Sequence, residues 1–255
     1  MNRLTQGVVL LLFGGAILRA SFTDLYLRYV KEGLRPFLIA TGLLLVAAAV
    51  MTIWYSWRSP DESSAEHDAS PHSSSGHSAV DDDGHGHGEH GPRVGWLLLL
   101  PVLGLLLVAP PALGSYAANQ AGSVVAAPVG DSDYPPLPEG PAVELSMIDY
   151  ASRALFDAGR SLEGRDLKLV GFITTAPDGA PMLARIVLSC CAADGRPIKI
   201  GLSGRAPIDV PADTWVEITG VYTDQTAKDP VNNVDMAYLE VKSWQEVPQP
   251  KQPYA

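Results

Sequence analysis

Two kinds of hydrophobic pattern divide this chain. Residues 37–57 (FLIATGLLLVAAAVMTIWYSW) are apolar on every side and carry no charge. A helix of that length, rising about 1.5 Å per residue, matches the ~30 Å hydrocarbon core of a bilayer. Residues 94–113 form another uncharged run, with Pro101 inside it and Pro110-Pro111 near its end. A membrane helix tolerates such a proline with a kink. Trp54, Tyr55 and Trp57 end the first of these runs and Trp96 opens the next, so both aromatic groups mark the interface facing the segment between them. Residues 7–18 are a shorter apolar run behind Arg3. A secretory signal peptide has this form, but Arg19 directly precedes the one plausible cleavage position. Extended from Leu4 to about Tyr26, with Arg19 snorkelling, the run makes a full span. Three transmembrane helices are expected, and with them a multi-pass protein of the cell membrane.

From residue 142 the pattern becomes that of a soluble domain. Ser146 is a suitable N-cap, Met147, Tyr150, Ala151, Ala154 and Leu155 share one helical face, and Gly159 is a stop. Residues 166–175, 182–191, 197–203, 214–223 and 236–246 then read as strands separated by turn residues. Five strands in so short a stretch predict a small β-barrel, plugged at one end by the leading helix. An OB-like barrel fits best. It lacks the usual helix between strands three and four, because residues 204–213 are few and include Pro207 and Pro211. The expected organisation is two spans in 1–57, a loop in 58–93, a third span in 94–113, a Pro-rich linker in 114–141, the barrel in 142–247 and a tail in 248–255.

Charge and chemistry sharpen this picture at the loop. Residues 58–93 hold eight carboxylates against Arg58 and Arg93, and all six histidines of the chain: His67, His72, His77, His85, His87 and His90. Rich in Ser and Gly and nearly without large apolar residues, the loop cannot bury a core and is expected to be disordered. Neutral imidazole is the commonest protein ligand for zinc-like ions. A solvated spacer is the plainer reading, but the concentration of histidine beside carboxylates and next to a bilayer favours metal handling. A loop peptide is expected to bind zinc weakly at several exchangeable sites, and to lose it as pH falls through about 6.5. Metal titration at two pH values measures this, and indifference to zinc at neutral pH would return the loop to a spacer. Arg19, Arg28, Lys31 and Arg35 lie between the first two spans, which by the positive-inside rule favours the histidine loop outside and the barrel inside. The Pro-rich, lysine-poor linker is of a kind common outside cells and favours the reverse, so the orientation stays open. From residue 142 onward fifteen Asp and Glu face eleven Lys and Arg, which argues against nucleic acid.

The two cysteines, Cys190 and Cys191, are adjacent. In a strand, Ala184, Ile186, Leu188 and Cys190 would share an apolar, buried face, and Arg185, Val187, Ser189 and Cys191 a mixed, exposed one. Cys190 is then a small buried hydrophobe, while Cys191 can join Asp194 as a reactive or metal-binding pair. If Cys190 already lies in the turn, both sulfurs can face one ion. A disulfide between neighbours would need a strained eight-membered ring.

The stretch from Arg185 to Asp194 (RIVLSCCAAD) is followed by a Trp-Val-x-x-x-Gly strand, Trp215 to Gly220, and preceded by Gly171-Phe172-Ile173. With the spans in front, the chain resembles the YcgQ-like family of two-component permease accessory subunits. The family motif maps onto Arg185, Cys190, Cys191, Asp194, Trp215 and Gly220 without assigning their roles. The resemblance implies a non-enzymatic subunit beside a separate multi-span permease, linked to the supply of zinc or another divalent cation. The expected metal ligands are the six loop histidines with Cys190, Cys191 and Asp194, and the expected partners are the permease, the bilayer and the metal ion. Two alternatives stand beside this: a structural assembly subunit that binds no metal, and a membrane-tethered OB-like ligand-binding module.

Overall fold

Five strands close a barrel after residue 166. The structure is a computed structural model and describes residues 3–58, 100, 103–104, 108, 110–125 and 134–255. It divides into two compact units, one holding Met1–Phe22 with Pro36–Pro110 and the other holding Thr23–Arg35 with Pro111–Ala255.

In the first unit, α1 (Arg3–Phe22) and α2 (Arg35–Arg58) are, among the described residues, the two helices long and apolar enough to cross a membrane. They meet through small residues. A Cβ on Gly14 would come within 2.9 Å of Val46, one on Gly42 within 2.8 Å of Leu18, and one on Gly7 within 2.6 Å of Ile53. Ala49 is fully buried, while Phe37, Leu43, Leu44, Trp54 and Trp57 stay exposed. Small residues inside and large apolar ones outside is the packing of helices in lipid, where close backbone approach replaces a hydrophobic driving force. Helix α1 stops at Phe22, short of the expected Tyr26, and a 3₁₀ turn follows at Asp24–Arg28. Most of residues 94–113 and all six histidines lie outside the described residues.

The second unit is built on β1 (Val143–Glu144), β2 (Leu167–Thr175), β3 (Pro181–Val187), β4 (Arg196–Gly204), β5 (Trp215–Lys228) and β6 (Asp235–Glu246). Strand order runs β2-β3-β4-β6-β5 and closes through β2 and β5, with β4 and β6 parallel and the other barrel pairs antiparallel. This is the five-stranded OB-like barrel expected, without a helix between β4 and β5. Gly171 lies next to Phe172, the residue of β2 that pairs with both β3 and β5, and a Cβ on it would stand 2.7 Å from the Ala184 carbonyl. Gly220 sits at a register shift between β5 and β6, where a Cβ would come within 2.4 Å of the Glu240 carbonyl. Backbone cannot yield as a side chain can. Gly220→Ala is therefore expected to cost about 1–3 kcal/mol, measurable as faster amide exchange in β5 and β6.

The leading helix behaves as expected. Ser146 caps α4 (Met147–Phe156) by accepting from the Asp149 amide at 3.1 Å, and Gly159 follows the helix at φ +70°. Met147, Tyr150 and Ala151 are buried in the barrel core with Leu169, Ile200, Ile218 and Leu239, and the Tyr150 hydroxyl donates to the Tyr238 carbonyl at 2.5 Å.

Two boundaries need correction. The expected linker is partly domain, since α3 (Ser115–Gln120) packs on β2, β3 and β4. Its amino end is held by Asp213, which accepts from the Ser115 amide at 2.5 Å and its hydroxyl at 2.8 Å. The tail is docked as well: Tyr254 bridges to Ile186, and the Ala255 amide donates to the Ile186 carbonyl at 2.9 Å.

Candidate functional site

Strand β3 ends at Val187, three residues before Cys190, because the chain turns onto a carboxylate. Asp194 Oδ1 accepts from the Ser189 amide at 2.9 Å, and Oδ2 accepts from the amides of Cys190 at 2.8 Å and Cys191 at 3.3 Å. The Cys190 thiol donates to the same Oδ2 at 2.8 Å. Cys191 is the N-cap of the 3₁₀ turn Ala192–Asp194, its sulfur facing the Asp194 amide. These bonds replace the ladder that would have carried the strand onward.

The placement of Cys190 in the core is thus overturned. Leu188 is 2% exposed, whereas Cys190 is exposed and Cys191 half-buried. Ala184, Ile186 and Leu188 are buried as expected, but in a cluster with Phe172, Trp215 and Ala118, separate from the barrel core that contains Leu183. The open alternative, with both cysteines in the turn, is the one observed. Cys190→Ser is accordingly expected to leave the melting of the protein almost unchanged.

The thiols of Cys190 and Cys191 and a carboxylate oxygen of Asp194 all lie within 4.8 Å of one another. Electrostatics bind the group together. The thiol hydrogen bond from Cys190, outweighing desolvation and joined by the three amides, holds the Asp194 carboxyl at about 2. The same bond, with Cys191 nearby, pushes the Cys190 thiol up to about 11. Asp194 is therefore an anion at neutral pH and Cys190 a protonated thiol, a poor arrangement for a cysteine nucleophile. A shallow cavity of about 470 Å³ lies alongside, lined by Val187, Ser189, Ala193, Asp194 and Arg196 among others.

The segment Thr23–Arg35 closes against this turn. The Lys31 amide donates to the Cys190 carbonyl at 3.0 Å, the Ala192 amide donates to the Tyr29 carbonyl at 2.7 Å, and Val30 pairs antiparallel with Cys191. Nothing in the sequence pattern pointed to this contact. The basic residues of the segment were legible as charge, and its strand-like edge was not.

The other motif residues form a support rather than a site. Arg185 lies over the Trp215 ring, 5.7 Å from its centroid, and Trp215 meets Phe172 edge-on at 5.6 Å. Arg185 also donates to the Val170 carbonyl at 3.4 Å and to the tail carbonyls of Gln252 at 3.2 Å and Tyr254 at 3.4 Å. It couples the barrel to the tail.

Residues 151–255 match the sequence model of the DUF1980 C-terminal domain. The matched stretch contains Arg185, Cys190, Cys191, Asp194, Trp215, Gly220 and the docked tail, and it supports the resemblance to a DUF1980/YcgQ-like family. Neither the curated proteins nor the solved structures supplied a match to this chain.

Proposed function

We propose that this protein is a membrane-anchored accessory subunit that takes up zinc or a similar divalent ion at the Cys190–Asp194 turn and passes it to a multi-span permease. The observation that carries this reading is the approach of two thiols and a carboxylate within 4.8 Å in a solvent-reachable turn. An ion about 2.3 Å from sulfur and 2.0–2.2 Å from oxygen in tetrahedral geometry spaces its ligands by roughly 3.5–3.8 Å, inside that reach. Binding such an ion would release the thiol protons of both Cys190 and Cys191, the first of which is now donated to Asp194. Three protein ligands leave a fourth position open, which suits exchange with a partner better than storage. The small-residue packing of α1 against α2 supports a membrane anchor. A few spans cannot enclose a substrate path alone, so transport needs a partner.

One observation favours the structural-subunit reading. Asp194 already accepts four hydrogen bonds, enough to explain the turn without a metal. The OB-like ligand-binding module is less favoured. OB barrels bind oligomers on the face of their second and third strands, here β3 and β4, and α3 packs there.

Purification of the full-length protein from native membranes, with metal analysis, tests the proposal. The expected result is a co-purifying multi-span protein and bound zinc that falls when Cys190 and Cys191 are both changed to serine. A partner whose association and metal content are indifferent to both substitutions would favour the structural subunit. Recovery without any multi-span partner would remove the accessory role.

A further inference from the structure

We infer that the chain crosses the membrane three times, with the barrel and the Thr23–Arg35 segment on the cytoplasmic side and the histidine-rich loop on the other. The inference rests on reading α1 and α2 as spans, and it stands or falls independently of metal binding.

Its core is one hydroxyl. Tyr254 donates to the Arg28 carbonyl at 2.8 Å and accepts from the Leu113 amide at 2.9 Å. Arg28 belongs to the segment that follows α1 and precedes α2, and Leu113 closes the uncharged run of residues 94–113. Both are therefore held on the barrel. The segment is fixed there a second time by its pairing with Cys190 and Ala192. Parity follows from chain connectivity. The chain leaves the barrel's side of the membrane along α2 and is back on it at Leu113, so between Arg58 and Leu113 it must cross once more. In that interval residues 94–113 are the run able to do so, twenty uncharged residues that would span about 30 Å as a helix. The loop of residues 58–93 is then left on the opposite face.

Charge gives the direction. Arg19, Arg28, Lys31 and Arg35 lie at the carboxyl end of α1 and in the segment after it, against Arg3 alone at its amino end. Short basic segments near the first span are retained in the cytoplasm. The acidic residues of the long loop oppose this little, since carboxylates contribute weakly to orientation.

Three reporter cysteines test the assignment in full-length protein with Cys190 and Cys191 replaced by serine. Gly33→Cys sits in the segment, where a Cβ meets nothing within 4 Å, and Gln225→Cys sits at an exposed position of β5. Ser74→Cys lies in the loop. In sealed right-side-out membrane vesicles an impermeant maleimide is expected to label Ser74→Cys at least tenfold faster than the other two, and all three equally after permeabilisation. Different protection of Gly33→Cys and Gln225→Cys would overturn the shared side. Equal labelling of Ser74→Cys and Gln225→Cys would overturn the third crossing, and protection of Ser74→Cys alone would reverse the direction. Protease added to vesicles carrying the native chain gives the same readout without substitutions: the barrel should survive until the membrane is opened. None of these outcomes depends on metal, so a failure here leaves the metal reading to its own test.

Discussion

Lys199→Met is expected to destabilise the barrel by about 3–5 kcal/mol, because it strands a buried carboxylate. Lys199 and Asp229 form an ion pair at 3.1 Å with both side chains fully buried. The Lys199 ammonium also donates to the Ala121 carbonyl at 2.9 Å, and Asp229 accepts from the amides of Ser123 at 3.0 Å and Val231 at 2.8 Å. The pair therefore fastens the segment after α3 to β4 and to the β5–β6 connection. Methionine fills the space of lysine but supplies no charge, and one carbonyl and one carboxylate lose their partner together. At 1.4 kcal/mol per tenfold, amide exchange in β4 should quicken roughly a hundred- to several-thousand-fold. Adding Asp229→Asn should restore part of the loss, since the stranded charge goes with it. If the single variant exchanges like the native protein, the pair is not what holds this segment. The same site sets a pH response. Burial pushes the Asp229 carboxyl up, but the bonds from Val231, Lys199 and Ser123 together bring it below its ordinary value. Its stabilisation is thus complete above about pH 4, near the unfolded value, and is lost as pH falls further through the folded value.

Trp215→Ala should be nearly as severe. Removing a buried tryptophan typically costs about 3–5 kcal/mol, and Trp215 is 8% exposed, edge-on to Phe172 and beneath Arg185. With the ring gone, Arg185 loses the surface that orients it towards Gln252 and Tyr254. The tail should then be cleaved by carboxypeptidase well before the barrel unfolds, whereas in the native protein the two should fail together. Trp215→Phe, which keeps an aromatic face for Arg185, should restore most of the tail's protection. A tail equally resistant in the alanine variant would separate Trp215 from the docking of Tyr254.

The barrel was legible because its signals are local. Strand-like runs separated by turn residues marked β2 to β6, Ser146 and Gly159 bounded α4, and the short, proline-bearing connection after β4 ruled out a helix there. Cys190 was misplaced because the alternation of Ala184, Ile186 and Leu188 was carried past its physical end. What stops β3 is a carboxylate four residues beyond Cys190, and in the sequence Asp194 was legible only as the partner of Cys191 in a reactive or metal-binding pair. The docking of residues 111–125 was not legible. It rests on few large apolar groups and on polar partners about a hundred residues away, Asp213 and Asp229. Lys199, between Ile198 and Ile200, gave no local sign of being buried. The seating of Thr23–Arg35 on the cysteine turn is likewise a long-range pairing, and it brings the site into contact with the connection between the two apolar helices.

The claim at the centre of this account is that Cys190 and Cys191 bind one ion together with Asp194. Cadmium is the most direct probe, because its thiolate complexes absorb in the ultraviolet whereas imidazole and carboxylate complexes do not give that band. The full-length protein in detergent should develop the band with one equivalent of cadmium and surrender it to competing zinc. Cys190→Ser/Cys191→Ser should abolish it, and Asp194→Asn should weaken binding, because it replaces a carboxylate ligand with a neutral amide. No charge-transfer band in the native protein at saturating cadmium would contradict the claim, and the turn would then be a carboxylate-capped structural element.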